Sequence, residues 1–155
     1  RLLFKHLAGD STLTHNDIET WAAMRNRLWP DSIDVHRQEL AAFFRGDFPL
    51  IDTGLGLVLA NGQLVGFAEL SIRSHVDSVP EANIPYLEGW FVEPEFRNQG
   101  LGLQLMEAAQ QWAKDQGANY FASDVECDNE GSINAHKRFG FEAQGCSIGF
   151  LKRLN

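Results

Sequence analysis

The sequence predicts an α/β (α+β) fold: a mixed sheet with helices on its faces. Three observations predict it. Two helical periodicities precede an Asn61-Gly62 dipeptide set between strand-like runs. A strand, a long amphipathic helix and another strand then follow one another from Tyr86 to Asp124. The whole chain has 155 residues, enough to bury one core and too few for two ordinary ones, so a single domain over 1–155 is expected.

Taken in order, Leu2 to Leu7 reads as an opening strand. Thr14 with Asp17 three residues on resembles a helix N-cap. Ile18, Trp21, Ala22, Arg25, Leu28 and Trp29 recur at helical spacing until Pro30, which cannot continue a helix. Asp34 to Phe44 reads as a second helix ending near Gly46. Gly56 to Ala60 and Gln63 to Ile72 form a hairpin across Asn61-Gly62, a dipeptide that accepts positive φ. Arg73 to Pro85 is polar and carries Pro80 and Pro85, so it is a loop. Tyr86 to Val92 is a strand closed by Pro94. Leu101 to Gln116 is a helix whose Leu105, Met106, Ala109, Trp112 and Ala113 make one apolar stripe. Ala118 to Asp124 is a strand, Ser132 to Phe139 a short helix, and Phe141 to Ala143 and Ser147 to Lys152 two closing strands.

The formal charge of -8 argues against nucleic acid, whose phosphates require basic stripes, and suits a cationic small molecule. The apolar runs are short, so no membrane span is expected. Arg1 to Leu7 lacks the long apolar centre of a secretory signal, and a cytoplasmic protein is expected. Cys127 and Cys146 have no metal-ligand spacing and are too few for a disulfide framework, so they read as buried or idle thiols. The histidines are scattered, and no metal is expected.

The sharpest local feature is Arg97-Asn98-Gln99-Gly100-Leu101-Gly102, set between a strand and the long helix. A pyrophosphate needs converging N–H groups. A helix N-terminus supplies them with a favourable dipole, and glycines let the backbone approach closely. The hexamer alone reads equally well as a turn that lets strand and helix pack. It lacks the Lys-Ser/Thr ending of a P-loop and the three-glycine spacing of a dinucleotide fold.

Arg97-x-x-Gly100-x-Gly102 after Val92-Glu93-Pro94-Glu95-Phe96 resembles the acetyl-CoA signature of the GNAT superfamily of N-acetyltransferases. Asn129 to Phe141, ending in Phe139-Gly140-Phe141, is similar to the last helix of that superfamily. Arg27-Leu28-Trp29-Pro30-Asp31, Leu70-Ser71-Ile72-Arg73, Leu87-Glu88-Gly89 and Phe121-Ala122-Ser123-Asp124 look like the aminoglycoside 6'-N-acetyltransferase branch. The resemblance implies a GNAT fold, a mixed, mostly antiparallel sheet with helices on both faces, in which two central parallel strands, Tyr86 to Val92 and Ala118 to Asp124, splay apart around the pantetheine arm of acetyl-CoA. It assigns the pyrophosphate to Arg97, Asn98, Gln99, Gly100, Leu101 and Gly102, the pantetheine amides to the backbone at Val92, and a further cofactor contact to Asn129. A homodimer joined through the final strands is also implied.

The acceptor chemistry requires a neutral amine and a proton for the departing thiolate. Glu88 lies within one splayed strand and Asp124 at the carboxyl end of the other, where open sheets place ligands. By resemblance Asp124 is the first choice as base or amine-orienting group and Glu88 the second; solvated strand-edge carboxylates are the plain alternative. Trp29 is expected to stack on a sugar ring with Asp31 beside its amines. Strand alternation puts Tyr86 and Trp90 on the face of Glu88. Where many members of the superfamily carry a tyrosine that protonates the thiolate, this chain has His136. Val76 and Gly145 also stand where relatives carry polar or acidic acceptor contacts. The competing functions are acetylation of another small amine or a protein N-terminus, and a non-catalytic acyl-CoA-binding module.

Overall fold

The computed structural model describes the backbone of residues 3–6 and residues 14–155 in full. Leu2 and Leu7, the ends of the expected first strand, lie outside the described residues. Five strands form one sheet in the order β1 (Leu3–His6), β2 (Thr53–Val58), β3 (Leu64–Arg73), β4 (Ile84–Val92) and β5 (Ala122–Ser123). The first four are antiparallel neighbours, and β4 pairs with β5 in parallel. The sheet is therefore mixed and mostly antiparallel, as expected. The hairpin forms where Asn61-Gly62 placed it, with Gly62 at φ +87°.

Helix α1 (His15–Leu28) begins with a reciprocal capping box. Asp17 N–H donates to Thr14 Oγ1 at 3.1 Å, and Thr14 N–H to Asp17 Oδ2 at 3.0 Å. Ser32 caps α2 (Ile33–Arg45), and Gly46 ends it in the left-handed conformation. Both helices serve the sheet face that carries Phe67 and Phe91. Trp21, Met24, Leu40 and Phe67 are fully buried there, with Trp21 edge-on to Phe43 and Phe67 stacked on Phe91. Helix α3 (Leu101–Asp115) covers the opposite face, where Gly102 lies against the Trp90 ring and Leu105, Met106 and Ala109 are buried. The helical stripe that predicted α3 is thus its buried side, although Trp112 is only half-buried.

Two compact units divide the chain, residues 1–123 and 124–155. The second contains α4 (Glu130–Arg138) and no strand. The strands expected at Phe141 to Ala143 and Ser147 to Lys152 are absent: 141–155 has no regular structure and is exposed almost throughout. Alternation of apolar side chains is not enough for a strand, because a strand also needs a partner edge. Gly145, at φ +125°, and Gly149 add backbone entropy against extension. The strand expected over Ala118 to Asp124 likewise contracts to Ala122–Ser123. Among the described residues no helix is long and apolar enough to cross a membrane.

The cysteine reading requires correction. Cys127 and Cys146 are joined in a disulfide, with Cα atoms 5.9 Å apart. Their separation of 19 residues matches no metal or redox motif. Only the fold of 124–155 brings them together.

Candidate active site

Strand β4 organises the first unit's candidate residues. β5 pairs with it only at Tyr86↔Ala122 and Leu87↔Ser123, whereas β4 runs on to Val92, so the parallel pair parts just as Glu88 is reached. At the far end Val92 leads through a short 3-10 turn (Pro94–Phe96) into the loop that opens α3. Asn98 (φ 62°) and Gly100 (φ 78°) both take left-handed conformations there, and Gly100 is the N-cap. Left-handed residues of this kind are the conformation that anion-binding backbone loops use, and the helix behind them has first donors with no intrahelical partner. A Cβ on Gly102 would stand 3.3 Å from Trp90, so this glycine lets α3 settle close onto β4. Leu101 buries its side chain, which leaves its backbone to serve the loop. Arg97 folds back over the Phe91 ring, 5.3 Å from its centroid, and its Nε donates to the Val92 carbonyl at 2.7 Å. Arg97 and Val92, predicted as separate contacts, form one unit.

Glu88 occupies a β-bulge. Glu69 pairs with Gly89 and Leu70 with Leu87, leaving Glu88 with no opposite number. A bulge re-aims side chains, and it overturns the expectation that Tyr86, Glu88 and Trp90 share a face. Trp90 goes to the α3 side. Glu88 goes with Ser71 and Arg73, taking a hydrogen bond from Ser71 Oγ at 2.6 Å and two from Arg73, Nε at 2.9 Å and a terminal nitrogen at 2.8 Å. The same guanidinium covers Tyr86 at 3.5 Å from the ring centroid. Glu88 and Tyr86 therefore do come together, bridged by a residue that carried no expected role.

Trp29 departs from the expected open stacking platform. It is half-buried, packed at 6.3 Å from the Phe67 ring and against the backbone of Gly89, where a Cβ would fall inside its indole. Arg25 lies 5.4 Å from its centroid, and His36 Nε2 donates to its carbonyl at 2.9 Å. Behind it Arg25 Nε meets Glu69 at 3.0 Å and a terminal nitrogen meets Glu39 at 2.7 Å, while Trp21 Nε1 donates to Glu69 at 3.2 Å. Burial pushes the Glu69 carboxyl up to about 7, against the pull of Arg25 and Trp21. Asp31 is exposed and local: its carboxylate accepts from Ser32 N–H at 2.7 Å. The missed residues Glu69, Ser71 and Arg73 did leave a signal, since they alternate along an otherwise apolar strand.

In the second unit Asp124 is exposed directly after β5. Asn129 caps α4, its Oδ1 accepting from Ser132 N–H at 3.1 Å. His136 Nδ1 lies 2.8 Å from the Ser132 carbonyl, and its ring packs edge-on to Phe141 at 5.2 Å. A carbonyl only accepts, so Nδ1 carries the proton, and Nε2 can donate only when the ring is charged. Among the described residues no cluster of His, Cys, Asp and Glu suits a metal ion.

Residues 21–141 match the model of the acetyltransferase (GNAT) family. The chain belongs to the GNAT acetyltransferase family. Aminoglycoside N(6')-acetyltransferase type 1 of Klebsiella aerogenes is 40% identical over 126 residues, 81% of this chain and 83% of that protein. The enzyme of the same name from Stenotrophomonas maltophilia is 35% identical, over 83% and 82% of the two chains. Among solved structures of the family, AAC(6')-Iy in complex with the bisubstrate analogue CoA-S-monomethyl-acetylneamine superposes with a TM-score of 0.81 at 29% identity, covering 99% of both chains. AAC(6')-Ih from Acinetobacter baumannii gives 0.83 at 28% identity over the full length of both.

Proposed function

We propose that this GNAT protein transfers the acetyl group of acetyl-CoA to the 6'-amine of aminoglycoside antibiotics, by direct attack in a ternary complex, and so confers resistance. One observation carries the reading: a single strand, β4, leads at its end into a left-handed glycine loop opening a helix, and lifts a carboxylate on a bulge where its parallel partner stops. The relatives named above support the acceptor. The loop fits an anionic diphosphate, since Gly100 has open space around it and Gly102 keeps the helix close.

When bound, acetyl-CoA supplies an activated thioester carbonyl. In this reading the N–H groups of Asn98 to Gly102 hold the diphosphate, with Gln99 and Arg97 at the loop's rim, and backbone at Val92 orients the arm. Asn129, as the cap of α4, contributes from the second unit. Asp124 and Glu88 hold acceptor ammonium groups and receive the proton of the attacking amine, directly or through water. A carboxylate near the amine also raises the amine's pKa, so binding and deprotonation compete. His136, in its charged form, protonates the departing thiolate from Nε2. Trp29 and Asp31 border the acceptor, Trp29 through its exposed edge, and Tyr86 lines it.

The reading includes action in the cytoplasm and assembly as a homodimer. The exposed side chains of Ile148, Phe150, Leu151 and Leu154 support the latter, since such apolar surface ordinarily marks an interface. The test is thiol release from acetyl-CoA with a panel of kanamycin-type aminoglycosides, with the product's position read by NMR. Turnover at the 6'-amine, reduced at least about a hundredfold in kcat by Asp124→Asn with acetyl-CoA affinity kept, is expected. Inactivity across the panel overturns the acceptor.

A further inference from the structure

Carboxylate and aromatic face together make a receptor for an organic cation, and β3 and β4 build one from Glu88 and Tyr86. Both are already engaged by a cation of the chain itself. Arg73, the last residue of β3, meets both oxygens of Glu88 and lies 3.5 Å over Tyr86. Ser71, which is buried, fixes the carboxylate from the other side at 2.6 Å. The pair is nevertheless open to solvent in part: the Arg73 side chain is 43% exposed and that of Glu88 22%.

We propose that Arg73 is a resident surrogate for an acceptor ammonium group, which the incoming polycation displaces from Glu88 and Tyr86. This rests on the proposed acetylation of aminoglycosides. An ammonium cannot approach Glu88 closely while the guanidinium holds both oxygens, and the Tyr86 face is covered by the same group. Displacement costs every acceptor the same free energy. Arg73 thus raises KM for every amine by the same factor, so that at low concentration only an acceptor with further contacts of its own, such as a polycation, is bound.

The test compares Arg73→Met and Arg73→Lys with the wild type, and with Arg45→Met as a control for loss of one positive charge. Arg45 is exposed and pairs only locally with Asp47. For Arg73→Met, KM for the aminoglycoside falls about three- to tenfold, the range expected from an exposed ion pair with a ring contact. KM for a single-amine amino sugar falls by a similar factor, KM for acetyl-CoA stays constant, and Arg73→Lys lies between. A raised acceptor KM with a lowered kcat would mean that Arg73 holds Glu88 in position and would overturn the proposal, as would an equal gain in Arg45→Met. Calorimetry with neamine in the absence of acetyl-CoA reads the displacement without turnover. A wild type inactive on every aminoglycoside overturns the activity; equal neamine affinities for wild type and Arg73→Met overturn the surrogate.

Discussion

Residues 14–123 and residues 124–155 solve the problem of order differently. The first region has a sheet with helices on both faces, a fully buried Trp21 and Phe67, and a charged pair sealed inside, Arg25 and Glu69. From Asp124 onward no residue is buried, four large apolar side chains of the tail stand in solvent, and the covalent link is Cys127–Cys146. Burial stabilises the one; a crosslink and a capped helix organise the other. The difference matters for chemistry, because a rigid frame can hold Glu88 on a bulge against Ser71, whereas Asp124 and His136 belong to a region with little apolar burial of its own.

The contrast is tested most severely in the core. Arg25→Met leaves Glu69 buried without its cation, and a loss of about 3–5 kcal/mol is expected by urea unfolding. Glu69 also sharpens the point through pH. Its folded pKa, about 7, exceeds its ordinary value of 4.5, so the folded state binds the proton more tightly. Its contribution is complete below pH 4.5 and is lost as pH rises towards 7, with a slope of at most about 1.4 kcal/mol per pH unit. Glu69→Gln should flatten that part of the stability profile; an unchanged slope would remove the buried carboxyl as its source.

A smaller effect, confined to the second region, is expected from Cys146→Ser. Opening a loop of 19 residues costs about 3 kcal/mol in the chain-entropy picture. Hydrogen exchange should accelerate across α4 while the amides of β2 and β3 keep their protection. Equal acceleration in both would show that the two regions unfold together. Thiol titration of protein prepared under reducing and oxidising conditions reads how readily the bond opens.

The smallest effect comes from the helix caps. Thr14→Ala and Asn129→Ala each remove one side-chain acceptor from a helix start, at about 1 kcal/mol. The first should lower the global melting temperature. The second should raise exchange in α4 alone, and a matching global loss would break the distinction.

The site was legible where chemistry is local in sequence. Gly100 declares a left-handed turn and Gly102 a close approach of helix to strand, and Thr14 with Asp17 declares a cap. Glu88 stood out as a candidate in the sequence, but its surroundings did not. A bulge depends on how two strands register, and Arg73 and Ser71 became its partners only through that register. Trp29 shows the same limit: the resemblance suggested a ring that stacks on a sugar, and Gly89, sixty positions later, supplies the hollow that partly buries it.

The sequence by itself determined the helices, the hairpin at Asn61-Gly62 and the glycine loop that opens α3, since periodicity, caps and glycine dihedrals act over a few residues. Tertiary structure alone decided the bulge at Glu88, the Arg25–Glu69 pair, the Cys127–Cys146 bond and the loss of the closing strands. Each of these needs a partner far along the chain, and whether a strand or a charge finds one is a property of the assembled fold rather than of its own segment.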